Sequence, residues 1–286
     1  MDTPTLQKKY SWVGEDRLAY FDEGPGDAPG LLFLHGVPTS SYLWRQILTP
    51  LSTRWRCLAP DLLGLGDSAG PEDADLTLAR QADRMAGLLR LLDLDPLVVV
   101  GHDIGGIVAQ MMALRHGRFV RGLVLVDSAC YDNWPVGIIR YLRALSKNPI
   151  VYSAALKTGV LQRLAHSSYG YRTGVRHPGS LSKNAIDEYI RPVVLSATAQ
   201  RRFRQLLLSL SPMESREIAH EFHRLSTPTL IVWALDDAFF PLIWGERLAT
   251  DIPNSTLKTI SDCGHFVPEE RPQRLLGAIE EFLEAL

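Results

Sequence analysis

An α/β fold with a mostly parallel central sheet, helices on both faces and an inserted helical cap is the class this sequence predicts. Three observations predict it. Short apolar runs recur, each ending in a glycine or a turn, as strands buried on both faces do. Segments of helical period alternate with those runs. Between two of the runs, residues 130–222 keep a helical pattern rich in Tyr, Arg and Leu and offer no buried strand, which suits a cap inserted into a core.

The elements follow in order. Residues 10–23 alternate around turn formers and predict an antiparallel hairpin. GLLFLHG, 30–36, reads as a buried strand, and SYLWRQILTPL as a helix with Ser40 or Ser41 at its N-cap. RCLAPDL, 56–62, is a strand running into the glycine-rich loop LLGLGDS. Over 77–93, Leu78, Ala82, Met85, Leu88, Leu89 and Leu92 share one helical face. LVVVGH then predicts a strand and GGIVAQMMALRHG a helix. RGLVLVDSA at 121–129, TPTLIVWALDD at 227–237 and STLKTISDCGH at 255–265 complete the strands, and 271–286 is an amphipathic last helix. The core is expected over 1–129 and 223–286, with the cap over 130–222.

Bulk composition narrows the partners. A net charge of −2 gives no electrostatic reason to expect nucleic acid or an anionic membrane. Three cysteines, Cys57, Cys130 and Cys263, form no disulfide framework, and MDTPTLQKKY holds no apolar h-region, so a cytoplasmic protein is expected. No clustered His/Cys spacing calls for a metal, and no cofactor is implied. The expected partners are a small apolar electrophile and water, for a monomer or homodimer.

In parallel α/β sheets, ligands sit beyond the carboxyl ends of the strands. Asp103, Asp127, Asp236, Asp237 and His265 all fall at such ends. A helix N-cap alone would explain Asp103, but Gly101 and Gly105 add the small neighbours that a sharp strand-to-helix elbow needs. His102 and Cys263 read as packing residues, and Asp61 and Asp67 as turn formers.

HGVP at 35–38, GHDIGG at 101–106, LDDAFFP at 235–241 and DCGHFVPEERP at 262–272 stand in this order at those ends. In them, and over nearly its whole length, the chain resembles the α/β-hydrolase family. The likeness is to its Asp-nucleophile branch, the epoxide hydrolases and haloalkane dehalogenases. The resemblance implies that Asp103 is the nucleophile, His265 the base and Asp237 the acid that orients it, with the Val37 and Ile104 backbone amides as the oxyanion hole. Asp127 is the alternative acid, since some relatives place it after the earlier strand, and Asp236 ranks third.

A carboxylate at the elbow changes the electrophile. Against an ester carbonyl it would form a reactive anhydride; against a saturated carbon with a leaving group it forms an ordinary ester, and at neutral pH it needs no base to attack. Epoxides and alkyl halides fit. The halide reading meets two departures from the resemblance, because Val37 and Ile104 stand where dehalogenases carry a donating Asn and Trp; Trp134 is the cap's candidate to cradle a halide instead. The epoxide reading needs a cap acid. Tyr131, Tyr141 and Tyr169 are the candidates, alongside Tyr152, Tyr171, Tyr189, His166 and His177, while Phe203 occupies the position where many epoxide hydrolases carry a Tyr. An epoxide hydrolase giving a diol is the favoured expectation, and a dehalogenase the alternative. A non-catalytic small-molecule receptor is the reading from another class, disfavoured because nucleophile, base and acid are all present.

Overall fold

The computed structural model describes residues 6–286. Eight strands form one sheet in the order β1-β2-β4-β3-β5-β6-β7-β8: β1 (Lys9–Val13), β2 (Asp16–Glu23), β3 (Gly30–Leu34), β4 (Arg56–Pro60), β5 (Leu97–Asp103), β6 (Val120–Ser128), β7 (Thr229–Ala234) and β8 (Ser255–Ile260). The first two make the expected hairpin and β2 pairs antiparallel with β4; every other pairing is parallel.

Central β5 explains the sheet's two cores. Along Leu97-Val98-Val99-Val100 the side chains alternate between faces, and all four are fully buried. Leu97 and Val99 join one apolar cluster; Val98 and Val100 join the other. Helices α2 (Leu78–Leu91), α3 (Ile104–Arg115) and α10 (Ile243–Asp251) pack in the first cluster; α1 (Arg45–Leu51) and α12 (Pro272–Glu284) pack in the second. Each such buried Val or Leu contributes roughly 1.5–3 kcal/mol. The predicted face of α2 is seen, with Leu78, Ala82, Met85, Leu88 and Leu89 buried and Leu92 packed at its edge.

Three boundaries differ from expectation for local reasons. Ser40 caps a 3-10 turn, Ser41–Trp44, and the α-helix starts only at Arg45. Strand β7 stops at Ala234 and β8 at Ile260, short of the residues expected to end them. After β7, one oxygen of the Asp237 side chain accepts from the amides of Phe239 and Phe240 and turns the chain away from the ladder.

Six helices fill the interval between β6 and β7: α4 (Gly137–Ser146), α5 (Pro149–Lys157), α6 (Val160–His166), α7 (Lys183–Leu195), α8 (Ala197–Ser209) and α9 (Pro212–Ala219). A 3-10 turn, Tyr171–Gly174, lies between α6 and α7, and α11 (Val267–Glu270) follows β8. No helix among the described residues is long and apolar enough to cross a membrane.

Candidate active site

Asp103 ends β5 and opens α3 at φ +54 and ψ −126, a conformation L-residues rarely adopt and that costs about 1–3 kcal/mol. Surrounding glycines make it possible. A Cβ on Gly101 would lie 2.5 Å from the Gly105 carbonyl oxygen, and one on Gly105 would lie 2.3 Å from that of Leu34. The strand therefore turns straight into the helix and lifts the carboxylate to the carboxyl edge of the sheet.

Two backbone donors meet this carboxylate. Val37 N–H donates to its Oδ1 at 2.9 Å, and the Ile104 amide also hydrogen-bonds it. His35 supports the Val37 turn: its Nε2 accepts from Leu62 N–H at 3.0 Å, and burial lowers its imidazole to about 4, keeping it neutral. Gly36 is the tight point. A Cβ there would come 2.4 Å from Asp103 Cβ and 2.6 Å from its Oδ1. Gly36→Ala is accordingly expected to push the carboxylate off the Val37 amide and lower turnover by about 10²-fold, since an ångström of misplacement is enough for that. Steady-state kinetics beside a thermal melt separate this displacement from unfolding.

His265 follows β8. Its Nδ1 lies 2.8 Å from Asp237 Oδ2 and its Nε2 3.7 Å from Asp103 Oδ2. Phe239, Phe240 and Phe266 meet the imidazole edge-on at ring separations of 5.2, 5.1 and 5.2 Å, forming an aromatic box around it. Burial alone would depress the imidazole pKa. The Asp237 charge and hydrogen bond, then the charges of Asp103 and Asp127, outweigh burial and hold His265 at about 9. Asp103 is itself pushed up by burial, an effect opposed by the His265 charge and by the Val37 and Ile104 hydrogen bonds.

Asp127, one residue before the end of β6, lies nearby but does not reach His265. One oxygen accepts from Ala234 N–H at 2.8 Å, and the other is buried without a partner among the described residues. Burial and the neighbouring Asp237 charge raise it far above the usual carboxylate range, an effect opposed by the His265 charge and the Ala234 hydrogen bond. Asp236 faces solvent, 3.9 Å from Arg176. Of the three acids weighed from the sequence, Asp237 is the one on the imidazole. Asp237→Asn is expected to lower kcat on the order of 10³–10⁴-fold. Asp127→Asn should stay within roughly threefold, because Asn keeps the acceptor for the Ala234 amide and Asp127 makes no hydrogen bond to His265. The reverse order of the two kcat values would make Asp127 the working acid.

His102 is a packing residue, as expected. Its Nε2 lies 3.0 Å from the His265 carbonyl, and burial keeps it neutral. Cys263 is buried, with its thiol pushed up, so it is no thiolate. Asp61 and Asp67 hold the loop after β4, Asp61 accepting from Ser41 and Asp67 amides and both carboxylates bonding Lys8.

A cavity of about 110 Å³ opens over Asp103 and His265, walled largely by apolar side chains of α4, α6 and α7. The cap residues singled out from the sequence mostly lie elsewhere. Trp134 donates its indole N–H to Ser215 Oγ at 2.8 Å and lines no part of the cavity, so it cradles nothing there. Tyr131 gives its hydroxyl to Asp251 and stacks on Trp244, away from the cavity. Tyr141 and Tyr169 project into solvent. Phe203 does line the wall. The polar groups that reach the cavity from the helical segment are Tyr171, Tyr189 and Gln162. Tyr171 donates to the Pro38 carbonyl and Tyr189 to Glu269, while the Gln162 side-chain oxygen is buried with no partner among the described residues. Nothing in the sequence marked Gln162, and nothing set Tyr171 and Tyr189 apart from the other tyrosines. No group of His, Cys, Asp and Glu among the described residues is arranged to hold a metal.

Known proteins share this architecture. Haloalkane dehalogenase 2 of Mycobacterium tuberculosis is 30% identical over 270 residues, covering 93% of this chain and 91% of that protein. A cis-3-alkyl-4-alkyloxetan-2-one decarboxylase of Xanthomonas campestris is 29% identical over 294 residues, covering 93% and 92%. Among solved structures, the epoxide hydrolase CorEH superposes with a TM-score of 0.80 at 24% identity, covering 98% of this chain and 99% of that one, a likeness of fold. The family model described as the alpha/beta hydrolase fold matches residues 29–272, and with most of the sequence inside that match the chain belongs to the α/β-hydrolase family, as a hydrolase.

Proposed function

We propose that the protein hydrolyses a small apolar epoxide to a diol through a covalent ester on Asp103, beneath a lid formed by α4–α9. One observation carries the reading. The Asp103 carboxylate is split between two tasks, with Oδ1 on the Val37 amide and Oδ2 facing His265, whose far nitrogen rests on Asp237.

Oδ2 attacks a ring carbon from behind its C–O bond. That bond breaks, and the ring oxygen takes a proton from the Tyr171 hydroxyl, which turns from the Pro38 carbonyl and is reprotonated from water. Burial raises the Tyr171 pKa, so the phenol keeps its proton until an alkoxide, a far stronger base, takes it. In the second half His265 Nε2 removes a proton from water. The hydroxide attacks the ester carboxyl carbon, and the oxyanion forms on the oxygen already held by the Val37 and Ile104 amides. Collapse expels the product oxygen, which takes the proton back from His265; Asp103, released as the acid, gives its proton to the hydroxide left when water reprotonated Tyr171, and the carboxylate is regenerated.

Tyr171 and Tyr189 both line the cavity, their hydroxyls resting on the Pro38 carbonyl and on Glu269, and this favours a leaving group that needs a proton. A second reading, an alkyl halide as substrate, is favoured by the Mycobacterium tuberculosis relative, a haloalkane dehalogenase. A panel of epoxides, oxetan-2-ones and bromoalkanes, with diol and halide measured separately, decides between them. Tyr171→Phe is expected to lower kcat on epoxides by about 10²-fold while leaving any bromoalkane turnover unchanged, since bromide needs no proton. Halide release without diol formation would overturn the epoxide reading.

A further inference from the structure

The near-neutral total charge hides a strong segregation. Between Asp132 and Asp187 there is no acidic residue, while eight Lys or Arg fall in that interval. Six of them, Arg140, Lys147, Lys157, Arg163, Arg176 and Lys183, are exposed. Of these six, only Arg176 has a carboxylate within 4 Å among the described residues, Asp236 at 3.9 Å.

Large apolar side chains are exposed in the same stretch. Ile150 and Tyr169 are each 79% exposed, and Tyr141, Val151 and Val160 are about half exposed. On α5 the buried residues are Tyr152 and Leu156, and the opposite side presents Ile150, Val151 and Ala154, followed by Lys157. An outward apolar stripe on a nine-residue helix has no role in holding that helix to its neighbours.

We infer that the outer face of α4–α6 docks on an anionic lipid bilayer. Charge complementarity points to an anionic surface. The form of the face points to lipid: single apolar tips are interleaved with long cationic side chains, as shallow insertion at the headgroup boundary requires, with aliphatic stems below and charges at the phosphates. The inner sides of α5 and α6 also wall the apolar cavity, through Leu156, Leu161 and Ala165. A lipophilic substrate dissolved in the bilayer would then be delivered beside its pocket. That last step rests on the proposed function; the docking does not, and it is measured without substrate.

Co-sedimentation of the full chain with vesicles tests it. At low ionic strength the protein is expected to sediment with a phosphatidylcholine–phosphatidylglycerol mixture and not with phosphatidylcholine alone, and high salt should release it. Lys157→Glu and Arg163→Glu should each lower the partition by about fivefold. Ile150→Glu combined with Val151→Glu should lower it by about tenfold. Both positions are exposed and line no part of the cavity, so the melting curve and turnover of a water-soluble substrate should not change. Equal sedimentation with both vesicle types, or none with either, overturns the inference. So does a wild-type dimer that becomes a monomer in the Ile150/Val151 double variant, because a second copy would then own this face.

Discussion

His265→Gln is expected to stop the reaction halfway. Alkylation of Asp103 needs an ionised carboxylate and no base, so mixing the variant with a reactive epoxide should yield one equivalent of covalent adduct, read by intact-protein mass. Hydrolysis of that ester needs a base at Nε2, which Gln does not supply. Turnover should fall on the order of 10⁴-fold, while the single-turnover alkylation rate stays within about tenfold. The adduct should map to the peptide containing Asp103. A variant that loses adduct formation together with turnover would show that His265 acts in the first step.

The electrostatics of the same residue set the pH dependence. In the free enzyme three carboxyl groups, Asp237 foremost, hold His265 at about 9, so at neutral pH it is an imidazolium beside Asp103. That cation steadies the attacking carboxylate but cannot act as a base. Esterification removes the Asp103 charge and with it one cause of the upward shift. His265 then titrates below its free-enzyme value and becomes available when water must be activated. Ester hydrolysis should therefore rise with pH and reach its plateau below pH 9, whereas alkylation should not fall as His265 protonates. In stopped-flow experiments at mildly acidic pH, the wild-type enzyme should accumulate the ester that His265→Gln accumulates at every pH.

How far the sequence could be read depended on what kind of feature carried the information. Asp103, Asp237 and His265 were legible because each follows an apolar strand, and a parallel sheet gathers such positions at one edge whatever the loops between them do. The structure brings the three within hydrogen-bonding or near-contact distance. In the helical segment no such rule applies. Tyr141, Tyr169, Tyr171 and Tyr189 look alike in sequence, and only the packing of short helices sends the first two to solvent and the last two to the cavity. Trp134 offered a donor on paper, yet Ser215, 81 residues away in the chain, takes its hydrogen bond. The charge segregation over 133–186 was present in the sequence but invisible in a total of −2, because the flanking core carries the compensating acids.

Asp103→Ser places a hydroxyl on the same elbow, and it should lower epoxide turnover on the order of 10⁵-fold, close to the cost of removing a nucleophile outright. The strained backbone at φ +54 would still present the side chain, so the fold and the melting temperature are expected to change little. Three things are lost. Serine is un-ionised at neutral pH, and the Asp237 charge still holds His265 toward the imidazolium, which cannot take its proton. Removal of Asp103 lowers the His265 pKa and partly frees the base, but an ether formed on serine has no carboxyl carbon for water to attack, so the cycle cannot close. The Val37 and Ile104 donors, which grip the carboxylate, would also stand empty, with no oxygen of the intermediate in place to receive them. Diol formation by the serine variant at more than a few per cent of the wild-type rate would mean that hydrolysis bypasses the elbow. A stable ether adduct, detected by mass, would instead show that the elbow still delivers its nucleophile and that the second carboxylate oxygen is what makes the site catalytic.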